Sequence, residues 1–433
     1  MEMKEYNLKK IAIICAVVCV VVILIEGGLY LYLKNKHEQS MTYYDSYQMV
    51  IPDGKNIVAV GSSDFKKSKH NEYTKGLEKG KLVKYDKEGN VLFEVQYDKG
   101  FSSTFTSVLV LDDGYIVTGS GEYSEEQQEN GLRDAFLIKY DKKGNKVWEK
   151  YYGVLANTRF NKVIKVDDGL VVIGQSLYEN MEVGNHTTGG GIIVKYDFDG
   201  NEVWHNNHGG NKSGNFNGII EVDGDFYIAG KDGADSANIV KFDSNGKYLW
   251  HENYSFTDSM GFQDLVYHND KLYAVGSKKI LTKEQEKERK TDNTDGLIAV
   301  YDMKGKLKDE VTFGGSKLER YTGIQVLDDK IYVVGISNSL DSDLDIKLNE
   351  EIEGASSGFI LSYDDELKLV DSKVLGGTNN DVLNKFTLSN NKLYVAGCSN
   401  SKDGSISVKT SNGKDYFGKI IGLESDLKFE VIK

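Results

Sequence analysis

The stretch that decides the fold reads Ser107-Val-Leu-Val-Leu111, Asp112-Asp-Gly114 and Tyr115-Ile-Val-Thr-Gly119. After a loop it continues Ala135-Phe-Leu-Ile-Lys-Tyr140, Asp141-Lys-Lys-Gly144 and Asn145-Lys-Val-Trp148-Glu149. These are four runs of strand length, rich in β-branched and aromatic residues and bounded by turn residues. An Asp that opens a turn and a Gly that closes it in the left-handed region make a tight hairpin. The pair recurs at Asp86/Gly89, Asp197/Gly200, Asp243/Gly246 and Asp302/Gly305. One carboxylate per turn supplies too few ligands for a calcium loop, so these are structural turns.

Working outward, the unit repeats. An aromatic or equivalent position at a strand end recurs as Tyr85, Tyr140, Tyr196, Phe242, Tyr301, Tyr363 and Leu423. A strand-ending glycine recurs as Gly61, Gly119, Gly174, Gly230, Gly276, Gly335 and Gly397. From each aromatic position to the next such glycine is always 34 residues, whereas the step from glycine to aromatic varies from 12 to 28. Runs such as Ile192-Ile-Val194 and Ile331-Tyr-Val-Val334 are apolar on successive residues, as strands buried on both faces must be. The expectation is an all-β fold: a seven-bladed β-propeller of four-stranded antiparallel blades over residues 44–433. A two-sheet sandwich would not produce seven equal units.

With strands lettered A to D, the A–B and C–D turns share one face, and the B–C and D–A connections share the other. The constant spacing contains every connection except B–C, so all length variation maps to one face. The longest of these loops are Ser62–Gly80, Ser277–Asp295, Ile336–Ser357 and Cys398–Tyr416. Lys278–Lys290 mixes Lys and Glu in the manner of a solvated segment. Each blade is made of contiguous chain, so ring closure must rest on packing between the first and seventh blades. Phe429 and Val431 are the expected contributors.

The run Asp-Ala-Phe-Leu-Ile-Lys-Tyr-Asp-Lys-Lys-Gly-Asn-Lys-Val-Trp (134–148), followed by Asp-Asp-Gly-Leu-Val-Val-Ile-Gly (167–174), resembles the bacterial SBBP and quinoprotein-like β-propeller repeats. The resemblance spans residues 44–433 and implies the fold. It says little of function, because those families hold scaffolds, assembly factors and some enzymes. In the quinoprotein-like members an outer-strand Trp docks between blades. Phe93, Trp148, Trp204 and Trp250 hold that position here, while Asp309, Asp371 and Val431 replace it, so docking in the second half is expected to differ.

Of the 433 residues, 46 are Gly and one, Pro52, is Pro, which suits many tight turns. The net charge of −13 disfavours nucleic acid, whose binding needs clustered cations. The four arginines, Arg133, Arg159, Arg289 and Arg320, are too few for guanidinium clamps to be the main chemistry. Of three cysteines, Cys15 and Cys19 lie in the N-terminal apolar run and Cys398 stands alone, which allows no disulfide framework.

That apolar run, Ile11 to Leu33, is 23 residues with Glu26 as its one charge. At about 1.5 Å per residue it crosses a hydrocarbon layer of about 30 Å. It exceeds a signal-peptide core, and no small-residue cleavage site follows. No lipobox-like small residue precedes either cysteine. The expected organisation is a cytoplasmic tail at 1–10, a transmembrane signal-anchor helix at 11–33, a linker at 34–43, and the propeller outside the cell. Glu26 with Gly27 and Gly28 fits the outer interface, where Tyr30 and Tyr32 join the headgroup belt.

No residue qualifies as catalytic or cofactor-binding. Asp341, Asp343 and Asp345 resemble the first half of an EF-hand and are weak calcium candidates, because Ile346 and Ile352 stand where Gly and Glu are needed. Gly354-Ala-Ser356-Ser-Gly358 matches a nucleophile elbow but lies in a B–C loop of an all-β chain. His205 and His208 invite zinc, yet residues three apart on a strand point to opposite faces. Sialidase-type Asp-x-Gly-x-x-Trp boxes are not matched. The expected function is a membrane-anchored, extracellular module that binds a protein or cell-wall glycan through the B–C loop face. The alternative is a hydrolase or cofactor enzyme at the channel mouth, near Gly314-Gly315-Ser316 and Gly376-Gly377-Thr378.

Overall fold

Strands B and C carry the apolar runs, and in the protein they are buried on both faces. Gly190–Tyr196, strand C of the third blade, is buried at every residue. Strand D is the mostly exposed outer edge, as in Lys146–Tyr152 of the second blade. A computed structural model describes residues 41–67, 78–153, 157–176, 190–209, 214–233, 236–255, 260–280, 293–339, 341, 355–389, 392–406, 417–424 and 429–430. These residues form seven four-stranded sheets, and in each the strand order follows the chain. The blades span 41–97, 102–152, 158–208, 215–255, 264–313, 319–375 and 381–430. No helix among the described residues is long and apolar enough to cross a membrane. The 11–33 segment lies outside the described residues.

Seven apolar clusters hold the blades together, each shared by two neighbours. The seventh joins Tyr47, Val50, Ile57, Ala59 and Val83 of blade one to Ala396 and Ile420 of blade seven. Closure therefore rests on packing between whole blades, through these residues. Val431 lies outside the described residues.

Strand A carries a bulge at one register in blade after blade, leaving Thr106, Asn161, Asn217, Thr322 or Asn384 without an opposite residue. A bulge re-aims side chains, and here it turns a polar one onto the next blade. Thr106 donates to the Phe160 carbonyl at 2.6 Å and Asn161 to that of Phe216 at 2.8 Å. Asn217 donates to Phe262 at 2.8 Å, Thr322 to Leu383 at 2.9 Å and Asn384 to Tyr47 at 2.7 Å. The last of these crosses the closure. The repeating strand-B glycine now has a cause: a Cβ at Gly119, Gly174, Gly230 or Gly397 would overlap the strand-A carbonyl of Thr104, Arg159, Asn215 or Val382 beside the bulge.

The outer-strand aromatics dock as the resemblance implied, in the first half. Each lies against the C–D turn of the following blade: Phe93 on Gly144, Trp148 on Gly200, Trp204 on Gly246 and Trp250 on Gly305. Where Asp309 replaces the Trp, the next turn carries Leu367 instead of Gly. Leu367 holds φ at 60° and packs on the apolar cluster between blades five and six. The bulk has moved from the strand to the turn.

Candidate functional site

The turn face is built by local hydrogen bonds. Each C–D turn Asp caps its own turn, as Asp141 Oδ1 accepts from the Lys143 and Asn145 amides at 2.8 Å each. These carboxylates are spent on backbone, which bears out their reading as structural turns.

The opposite face carries the B–C and D–A connections. In blade two the B–C loop holds a short helix, Glu125–Asn130, with Ser124 and Gln127 as a reciprocal capping box. After it, Arg133 Nη2 donates to Ser102 Oγ at 3.1 Å and lies 3.7 Å from Glu78 Oε2. Arg159, itself exposed, stands nearby, and local desolvation together with the Arg133 charge lowers its pKa.

Blades six and seven share a motif on this face, of which the sequence alone singles out the Gly-Gly pairs with Ser316 and Thr378, and Asp341. Gly314-Gly-Ser-Lys-Leu-Glu319 with Ser337-Asn-Ser-Leu-Asp341 is matched by Gly376-Gly-Thr-Asn-Asn-Asp381 with Ser399-Asn-Ser-Lys-Asp403. In the first copy, buried Glu319 accepts from the Gly315 amide at 2.7 Å and the Ser337 hydroxyl at 2.5 Å. Asp341 accepts from the Ser316 amide at 3.0 Å. In the second, buried Asp381 accepts from the Gly377 amide and Ser401 hydroxyl at 2.8 Å each, and Asp403 from the Thr378 amide at 2.7 Å. Burial pushes the Asp381 carboxyl above its ordinary value. Each motif ties a D–A loop to the B–C loop of the same blade.

The channel is bridged by charge. The residue after the bulge is Lys162 in blade three and Lys385 in blade seven, and the matching register in blade five is Asp264, the first residue of its strand A. Lys162 Nζ lies 2.8 Å from Asp264 Oδ1, and Lys385 Nζ lies 3.1 Å from Oδ2 while donating to the Gln263 carbonyl at 2.8 Å. The blades between them carry Gly218 and Gly323 at this register, and a Cβ at Gly218 would press on Asp264. Burial raises the Asp264 carboxyl, but the two ammonium groups outweigh it and keep it ionised. Burial also lowers the Lys385 pKa. Sequence reading nominated no channel residue, and the register after the bulge was the signal that would have found these three.

At the outer rim, the end of strand D of one blade meets strand D of the next. Tyr97 donates to Glu149, and Tyr254 donates to Glu310 at 2.6 Å. Between blades three and four the same place holds His208 against His251, with ring centroids 4.6 Å apart.

Of the calcium candidates, Asp341 is exposed and already bonded to Ser316, while Asp343 and Asp345 lie outside the described residues. Among the described residues no group of three or more His, Cys, Asp or Glu is placed to hold a metal ion. His205 pairs with Glu202 at 2.6 Å and His208 faces blade four, so strand alternation separates the two. Ser356 immediately precedes strand C of blade six, Ser357–Tyr363, and its amide is bonded to Asn380 Oδ1 at 3.0 Å. That is a loop entering a strand rather than an elbow entering a helix.

No known protein family matches the chain, and no curated protein matches it in sequence. Solved structures similar to it include the computationally designed Ika8 protein, with 9% identity over 87% of this chain and 96% of that one, at a TM-score of 0.43. Another is the endosialidase of phage phi92, with 10% identity over 89% of this chain and 68% of that one, at a TM-score of 0.46.

Proposed function

We propose that the chain is a single-pass membrane protein, anchored by residues 11–33, that displays its propeller outside the cell. Its loop face captures a protein or cell-wall glycan partner. The family proposed for it is that of the SBBP and quinoprotein-like propeller repeats. The observation that carries the reading is the division of labour between faces. Turn-face connections are short, with carboxylates spent on their own backbone in the C–D turns and on lysine side chains in the A–B turns, whereas every connection of variable length leaves from the loop face. Loops of free length on a rigid repeat scaffold are where binding usually resides. The two Gly-Gly motifs support it further, because they fasten the D–A loops to the first residues of the B–C connections of blades six and seven.

A second reading, an enzyme working at the channel, has one observation in its favour. Lys385 is a partly exposed channel lysine whose pKa is lowered by desolvation, the direction that favours a lysine base or nucleophile. Two variants of the full chain on intact cells separate the readings. Deleting 342–354 should abolish capture of the partner and leave the fold intact, while Lys385→Met should leave capture unchanged. Capture lost in Lys385→Met and kept in the deletion would move the site to the channel. Calcium on Asp341, Asp343 and Asp345 would compete with the Ser316 bonds, and a melting midpoint raised by millimolar calcium would establish it.

A further inference from the structure

The rim contact between blades three and four differs from its neighbours in chemistry but not in place. In the Tyr97–Glu149 and Tyr254–Glu310 contacts a phenol donates to a carboxylate. Against burial, hydrogen bonds and nearby lysines hold Glu149 down to about 2 and Glu310 below its ordinary value, so both contacts persist through mildly acidic pH. His208, at the end of Glu202–His208, and His251, within Tyr248–Ser255, replace both partners. Imidazole is the side chain that charges near pH 6.5. His208 stacks on Tyr248 at 5.1 Å with 8° between the planes, and His251 Nδ1 lies 2.7 Å from the Tyr248 hydroxyl. His208 Nε2 is buried without a hydrogen-bond partner among the described residues, and so is Asp232 Oδ1.

We infer that the joint between blades three and four is an acid-sensitive hinge, in which a proton taken from solvent charges His208, packed between Tyr248 and His251, and loosens the two outer strands from each other. The groups that face the pair are few. Asp232 favours a proton on His208, while burial and His251 oppose it more strongly, and the net direction is downward. The Glu202–His205 pair lies on the other side of the strand. A depressed histidine binds its proton more readily unfolded, so the stability of the joint is complete above about pH 6.5 and falls as the pH drops below that value. The hinge lies at the loop face, beside the blade-four B–C connection, and it stands whether or not that face binds a partner.

Backbone hydrogen exchange of the full chain at pH 7.5 and 5.5, corrected for intrinsic chemistry, tests it. Protection in strands 202–208 and 248–255 should fall several-fold more than in strands 91–97 and 307–313, in the direction set by a lowered histidine pKa. The double variant His208→Tyr, His251→Glu installs the chemistry of the neighbouring joints and should remove the difference. An equal fall at all rims, or a response kept by the double variant, would overturn the hinge. Should that variant not fold, proton NMR of the wild-type imidazoles decides, because a His208 midpoint at the ordinary 6.5 also overturns it. A response abolished by a chelator would assign the pair to a metal ion instead and overturn it likewise.

Discussion

Blades one to four and blades five to seven solve one problem in two ways. In the first group an outer-strand aromatic reaches over to a turn glycine of the next blade, at Phe93/Gly144, Trp148/Gly200, Trp204/Gly246 and Trp250/Gly305. From blade five onward the aromatic gives way to Asp309 and Asp371, and Leu367 fills the turn from the other side. Blades six and seven add the buried acids Glu319 and Asp381, where blades two and three use Ser103 and Thr158 to bond the preceding strand C. Volume at an interface is conserved as a sum, so either partner can supply it. What distinguishes the halves is where rigidity sits: at the outer rim in the first, under the loop face in the second.

The largest expected effect tests the rim. Trp204→Ala should cost about 3 kcal/mol in denaturant unfolding, near the low end for large aromatics because Trp204 is only half-buried. A cost near zero would mean that the Trp/Gly contact is incidental. Swapping the two solutions sharpens the comparison. Asp309→Trp and Leu367→Gly should each destabilise alone, while the double variant should recover about 1–2 kcal/mol of the summed loss. Strict additivity would show that strand and turn do not share one volume. Ring closure comes next. Asn384→Ala leaves the Tyr47 carbonyl without its donor and should cost about 1–2 kcal/mol, and Asn161→Ala should match it if closure is an ordinary joint. A much larger loss for Asn384 would mark the closure as the weak point. Smallest is the deletion of 281–290, which should change stability by less than about 0.5 kcal/mol, as solvated loops tolerate length change.

The repeat was legible because its constraint is local. Thirty-four residues separate each aromatic position from the next glycine, and that glycine must remain glycine because a bulge carbonyl occupies its Cβ position. The bulge donors were harder to see, since Thr and Asn serve equally and no residue type repeats. The channel was illegible for a different reason. Lys162 and Asp264 are 102 residues apart, and blade four lies between them, where Gly218 leaves Asp264 the room a Cβ would take. His208 has His205 as its nearest histidine in sequence. Alternation turned it instead toward His251, a contact that only the ring of blades creates.

The central claim is that this propeller binds with its loop face. Photo-crosslinking amino acids placed one at a time in the full chain on intact cells test it most directly. Suitable positions are Lys99 and Glu129 on the loop face, and Asp113, Asp168 and Asp329 on the turn face, where the side chains are exposed. The account predicts a discrete adduct from the loop-face positions, lost when 342–354 is deleted, and none from the turn face. Adducts from the turn face alone, or loop-face adducts indifferent to that deletion, would contradict it.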